Sequence, residues 1–341
     1  MRTQQARPFS RRRFLRGVAL TGTVGCLGWH PRPVAAEPPP ETTTLRLVHT
    51  PAICLAPHYV AEVLLQAEGF TDVQYVHIAS DDAAAQALTA GSLDFNLYSA
   101  GLAATRLDAG DPFLLLAGLH VGCYELFGTE RVRTIRDLQG KTVALPQPLD
   151  STPHILLASM AAYVGLDPHR EIQWVFHPPA ESIQLLAAGQ IDAYLAFPPE
   201  PQELRAKQIG HVVINTGTDR PWSQYFCCML AGRRTFVQQY PVATKRWLRA
   251  VLKASELCAQ APDQAARLLV EKGYTPRYDY ALQSLQEIAY RQWREYDPED
   301  SLRFFALRLH EVGMIKSTPQ KLIAQGTDWR FLNALKQELK G

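Results

Sequence analysis

The chain has 341 residues, 47% of them hydrophobic and 20% charged, enough to bury one large or two medium cores without disulfide staples. Its formal charge of +2 is uneven, because residues 1–36 carry seven of the 35 Lys and Arg and no acid, leaving 28 basic against 33 acidic residues beyond them. That acidic body excludes an electrostatic case for nucleic acid or an anionic membrane as partner, and no later run approaches the 18 apolar residues of a membrane span.

The first element is "SRRRFLR", Ser10 to Arg16, followed by a short, weakly apolar run and by Val34-Ala35-Ala36. It resembles a twin-arginine export signal: Arg11, Arg12, Phe14 and Leu15 fill the pattern, and small residues stand before a cleavage point after Ala36. The predicted location is the periplasm, reached through the twin-arginine (Tat) translocon. An alternative is lipid attachment at Cys26 in "TVGC", although Thr23 stands where leucine is usual. Residues 37–44, "EPPPETTT", read as a linker.

Strand and helix signals then alternate. "LRLVH" predicts a strand, and the following segment a turn and a helix closed by Gly69. "VQYVHI" is a strand, Ser80 and Asp81 cap a helix ending at Gly91, and "LDFNLY" is a strand. A further helix closes at "RLDAGDP" before the strand "FLLLAGL". After "ELFGTERVRTIRDLQG" the pattern restarts: strand "KTVAL", helix "DSTPHILLASMAAYVG", strand "IQWVF", helix "PAESIQLLAAG", strand "IDAYLAF" and strand "HVVINTG". This is α/β alternation, which predicts mainly parallel sheets flanked by helices. "TAGSLDFNLYSAG" at 89–101 is echoed by "AAGQIDAYLAFPP" at 187–199, so two similar lobes are expected. From Pro241 onward, 241–261, 263–273, 280–296, 298–313 and 328–341 read as amphipathic helices.

Ligands in open α/β sheets bind beyond the carboxyl ends of the strands. Two facing lobes would therefore line a cleft with Pro51, Ala52, Ile53 and Cys54 after the first strand, and with Tyr98, Ser99 and Ala100 after the first echo. Cys123 and Tyr124 stand at the crossing between lobes, Ser151 and Thr152 before a helix, Phe197 and Glu200 after the second echo, and Trp222 and Tyr225 near the return crossing. Ser151 or Thr152 ahead of Pro153 would leave helix N–H groups free for an anion, although a Ser or Thr before Pro is also an ordinary cap. Tyr98, Tyr124, Phe197, Trp222 and Tyr225 each suit packing; as a group, two or three are expected to stack on a planar ligand.

No catalytic constellation emerges: there is no G-x-S-x-G, H-E-x-x-H, P-loop or G-x-G-x-x-G. The histidines His49, His58, His77, His120 and His154 are scattered, and none is assigned a role. Cys54, Cys123, Cys227, Cys228 and Cys258 are odd in number and lack C-x-x-C spacing, so no metal site, redox motif or cofactor is predicted; most lie in apolar contexts and read as small core residues, with a disulfide left open in an oxidising compartment.

"RTIRDLQGKTVAL", "GSLDFNLYSAG", "GQIDAYLAFPPE" and "PVATKRWLRAVLKA" together resemble the periplasmic substrate-binding proteins of ABC importers in the nitrate, sulfonate, taurine and thiamine-pyrimidine-precursor (NitT/TauT) family, from about Leu45 to the C-terminus. The resemblance implies a two-lobed periplasmic-binding-protein fold of type II. Lobe one would be 45–121 plus about 226–341, with the C-terminal helices, and lobe two 122–225. It implies a monomer that captures a small organic anionic or aromatic ligand, does no covalent chemistry, and delivers its ligand to separate permease and ATPase subunits. Two alternatives stay open. Thiamine-pyrimidine synthases resemble these proteins, but "HTPAICLAPHYV" lacks their pyridoxal-phosphate lysine and "FCCM" falls short of their cysteine-rich iron motif. A ligand-binding sensor or adaptor would look the same in sequence.

Overall fold

The computed structural model describes residues 37–340. The expected export signal at Arg11, Arg12, Phe14 and Leu15, its cleavage at Ala36 and the alternative at Cys26 lie outside the described residues. The strands are β1 Thr44–His49, β2 Asp72–His77, β3 Phe95–Ser99, β4 Phe113–Val121, β5 Glu125–Gly128, β6 Thr142–Leu145, β7 Gln173–Phe176, β8 Ala193–Ala196, β9 His211–Asn215 and β10 Phe226–Arg233. They form two five-stranded sheets on one plan, ordered β2-β1-β3-β10-β4 and β7-β6-β8-β5-β9. In each, three parallel strands are followed by one antiparallel strand that arrives from the other sheet: β10 pairs with β3 and β4, and β5 with β8 and β9. Neither antiparallel strand is marked in the sequence, because β5 is only four residues, all buried, and β10 carries an irregular register.

Helices α1 Ala56–Ala67, α2 Asp81–Ala90 and α3 Ala100–Asp108 connect the first sheet's strands; α4 Thr152–Tyr163, α5 Pro179–Ala187 and α6 Glu200–Lys207 connect the second's. Ser80 caps α2 by accepting the Ala83 N–H at 3.1 Å, and Gly91 ends it at φ +73°, a left-handed conformation that glycine adopts without steric cost. The sequence echo is structural. Asp94 accepts the Arg46 N–H of β1 at 3.0 Å while the Arg46 guanidinium reaches the Gly91 carbonyl. Asp192 accepts the Thr142 N–H of β6 at 2.9 Å while Arg131 reaches the Gly189 carbonyl at 3.2 Å. Each aspartate also carries an arginine, Arg233 at 2.9 Å and Arg131 at 2.6 Å.

The C-terminal part is helical: α7 Arg234–Gln239, α8 Pro241–Gln260, α9 Pro262–Glu271, α10 Tyr278–Glu287, α11 Pro298–Glu311, α12 Pro319–Gly326 and α13 Arg330–Glu338. Helix α8 lies along α1, and its Trp247 stacks on Phe95 of β3 at 3.7 Å. Helix α11 packs on α3 of the first sheet and on α4 of the second, and α10 reaches α6. The single helix expected over 280–296 stops at Glu287. Ile288 turns extended, Ala289 bridges to Val121, and the buried Tyr290 donates its hydroxyl to the Cys54 carbonyl at 3.0 Å. Tertiary fit at the junction of the sheets outweighs local helical preference there.

Candidate functional site

Two helix starts meet where the sheets face each other. Ser99, with extended backbone, caps α3 by accepting the Leu102 N–H at 3.2 Å. Thr152 opens α4, and its Oγ1 stands 3.2 Å from the Ser99 Oγ. Beside this pair Gly101 makes room for Ile155, since a Cβ at Gly101 would come within 2.9 Å of the Ile155 Cγ2. The positive ends of two helices from different sheets therefore converge on one spot. Ser151 occupies the N-cap position of α4, but its hydroxyl donates to the Pro148 carbonyl instead of capping the helix. The turn before it is held by His154, whose Nδ1 accepts the Asp150 N–H at 3.0 Å with Asp150 at φ +65°. Burial lowers the His154 pKa, which keeps that nitrogen an acceptor.

The other expected site residues divide into groups. Pro51 is exposed and Ala52 half-buried, while Ile53 and Cys54 are buried in a 3-10 turn. Ala100 is buried as the first residue of α3. The Tyr124 and Phe197 rings, from the first crossing and the end of β8, lie 5.0 Å apart. Glu200 turns back on its own loop, its carboxylate accepting the Phe197 N–H at 2.8 Å, and burial pushes its pKa up to about 7.

Tyr98 does not reach the junction. Strand alternation puts it on the opposite face from its neighbour Ser99, and its ring stacks on Phe113 at 4.7 Å inside the first sheet's core. Trp222 and Tyr225 form a separate aromatic cluster with Tyr163 and Phe304, Tyr225 stacking on Phe304 at 4.1 Å and Trp222 meeting Tyr163 at 5.2 Å. Tyr163 closes α4, so this cluster sits about 16 Å along that helix from Thr152.

Cysteines gather at the crossings between the sheets. Ligand atoms of Cys54, His120 and Cys123 lie within 4.8 Å of one another, and Cys123 Sγ is 3.5 Å from Cys227 Sγ. Cys54 comes from the 3-10 turn after β1, His120 from the end of β4, Cys123 from the first crossing, and Cys227 and Cys228 from the start of β10. Between Phe226 and Cys228 a bulge inserts Cys227 against the regular partner strand, so consecutive cysteines both serve one cluster. Cys123 itself is held at φ +120°. Burial raises the Cys54 and Cys123 thiol pKa values. Hydrogen bonds from Cys227 and Cys54, helped by the adjacent His120, lower that of Cys228. All five cysteines among the described residues are free, and Cys258 stands apart, buried on α8. The sequence offered no sign of this gathering, because the five donors come from three segments whose approach depends on the crossings.

A second bond between the halves is Arg205 of α6, which pairs with the buried Glu125 of β5 and with Glu287 of α10 at 2.8 Å. Gln202 adds a hydrogen bond to Glu287 at 3.0 Å.

The model of the NMT1-like family matches residues 38–271. The bicarbonate-binding protein CmpA of Synechococcus elongatus is 28% identical over 109 residues, 32% of this chain and 24% of that protein. The nitrate import ATP-binding protein NrtC of the same organism is 30% identical over 155 residues, 43% of this chain and 23% of that protein. The chain thus spans about a quarter of the length of these curated relatives. The periplasmic nitrate-binding protein NrtA of Synechocystis superposes with a TM-score of 0.71 at 17% identity, covering 88% of this chain and 90% of that one. The periplasmic aliphatic sulphonate-binding protein SsuA of Escherichia coli gives 0.64 at 17%, covering 85% and 92%. At such identities the likeness speaks for the fold, two lobes of mixed sheet flanked by helices with a helical C-terminal region.

Proposed function

The chain belongs to the NMT1-like family, and from that premise we propose that it is an extracytoplasmic solute-binding protein of an ABC importer. It would close on a small organic anion between its lobes, 45–121 plus 226–341 and 122–225, and present it to permease and ATPase subunits as a monomer. In this reading it performs no covalent chemistry, and it reaches the periplasm folded, by the twin-arginine route.

The observation that carries the reading is the Ser99–Thr152 contact. Two hydroxyls and two helix N-termini, one from each lobe, stand where an anion entering the opened junction would touch both halves at once. A ligand that contacts both lobes has differential affinity for the closed state, and that difference drives closure. The Tyr124 and Phe197 rings beside the first crossing favour an anion with an organic body over a bare one. The printed names of the relatives, for bicarbonate, nitrate and sulphonate binding, support the anionic class.

The test is a thermal-shift and calorimetric screen of nitrate, bicarbonate, taurine, alkanesulfonates, pyrimidines and aromatic acids. A ligand at ~100 times its dissociation constant adds about 2.7 kcal/mol of stability. An organic anion binding wild-type protein, and at least tenfold more weakly after Thr152→Val, supports the reading. Micromolar nitrate binding overturns the organic preference. A ligand whose affinity is unchanged by Thr152→Val and Ser99→Ala overturns the site.

A further inference from the structure

We propose that Cys54, His120, Cys123 and Cys228 form a site for a thiophilic closed-shell cation, Zn(II) or Cu(I), that pins the first loop and both lobe crossings together. The site is independent of the anion reading above, since none of these four side chains belongs to the Ser99–Thr152 junction.

The donor chemistry is specific. Three thiols and an imidazole are a tetrahedral set for Zn(II), and two or three of the thiols suffice for Cu(I). Bonds of about 2.3 Å to sulfur give a tetrahedron with edges of about 3.8 Å. The Cys54, His120 and Cys123 atoms already lie within 4.8 Å of each other, so side-chain shifts of about an ångström would bring these three to the edges of such a tetrahedron. Cys228 is the register partner of His120 where β10 pairs with β4, which makes it the candidate for the fourth position. Cys227, 3.5 Å from Cys123, stands just outside as a reserve donor.

His120 distinguishes a metal site from a simple cysteine pair. It is fully buried, and among the described residues neither of its ring nitrogens has a hydrogen-bond partner. Buried imidazoles are ordinarily satisfied, so this one is left aimed at a group that the thiols must also serve. A Cys123–Cys227 disulfide would use two sulfurs and leave His120, Cys54 and Cys228 unexplained. A cation uses them together. The left-handed backbone at Cys123 is a conformation that non-glycine residues adopt rarely, and here it turns the thiol toward the donors contributed by the first lobe. Binding replaces thiol protons with the ion, so uptake releases protons and tightens as pH rises.

The full-length protein, freed of its signal, reduced and stripped with chelator under anaerobic conditions, is titrated with Zn(II) alone and, separately, with Cu(I) alone. The expected result is one ion per chain by elemental analysis and native mass spectrometry. Co(II) in place of Zn(II) should give a thiolate-to-metal charge-transfer band in the wild-type protein. Affinity should fall at least tenfold in Cys54→Ser, His120→Ala and Cys228→Ser, and hold in Cys258→Ser. Should the variants misfold, the Co(II) band of the wild-type protein decides. No band and no stoichiometric uptake overturn the proposal, as does uptake equal in His120→Ala and wild type. Recovery of a Cys123–Cys227 disulfide whose reduction restores no metal uptake overturns it as well. Because the anion screen is read on Thr152→Val, failure of either proposal leaves the other standing.

Discussion

Ser99 and Thr152 touch hydroxyl to hydroxyl, 3.2 Å apart, although 53 residues and a crossing between sheets separate them. Gly101, two residues after Ser99, lets that contact form because Ile155 occupies the space its side chain would take. Replacing it with valine should wedge α3 from α4. The backbone at Gly101 has no positive φ, so the effect is steric, worth about 1–3 kcal/mol by the usual cost of overpacking. Small-angle scattering should show a larger radius of gyration for Gly101→Val. Unchanged dimensions would mean that the lobes do not depend on this contact.

Arg205 serves two carboxylates with different exposure. The Glu125 side chain is 6% exposed and that of Glu287 41%. Arg205→Ala leaves a buried carboxylate without its partner and should cost about 3 kcal/mol, whereas Glu287→Ala removes a largely solvated pair and should cost under about 1 kcal/mol. Denaturant unfolding of the two variants gives the ranking directly, and equal losses would contradict it.

The paired aspartates make a similar comparison. Asp94 is 1% exposed and holds a strand N–H and Arg233; Asp192 is 14% exposed and holds a strand N–H and a half-exposed Arg131. Asp94→Ala should destabilise by about 3–5 kcal/mol and Asp192→Ala by about 1–2 kcal/mol. The same thermal-denaturation series measures both.

Two groups give pH slopes of opposite sign. Burial lowers the His58 pKa from 6.5 to about 4, so the folded state favours the neutral ring; this stability is present above pH 6.5 and is lost as pH falls toward 4. Burial raises Glu200 from 4.5 to about 7, so the folded state favours the protonated acid; this stability is present below pH 4.5 and is lost as pH rises through 7. Each contributes on the order of 3 kcal/mol across its window. Glu200→Gln should therefore steepen the loss of stability on acidification between pH 6.5 and 4.5, seen by urea unfolding at a series of pH values. A variant whose slope matches the wild type would show that Glu200 titrates normally.

Much of the fold was legible because its signals are local. Gly91 and Gly189, Asp94 and Asp192 repeat at one spacing, and each aspartate proves to tie the equivalent strand of its sheet, β1 or β6. The strands β5 and β10 were not legible, since four buried residues and a bulged run carry no clear period. At the junction, naming the loop after β3 found Ser99 but also included Tyr98, because loop-level reasoning does not fix which face of a strand a residue takes. The cysteine cluster is a property of chain crossing, which no spacing in the sequence records.

Strand β10 lies between β3 and β4. A nascent chain that has delivered β4 still lacks the ribbon on which β4 must hydrogen-bond, and about a hundred further residues must emerge before it arrives. The second sheet, by contrast, is contiguous from Glu125 to Asn215 and has every strand it needs by then. During synthesis the later half is therefore the first able to mature, and the earlier half waits, open in its middle, for Phe226–Arg233 to fill the gap.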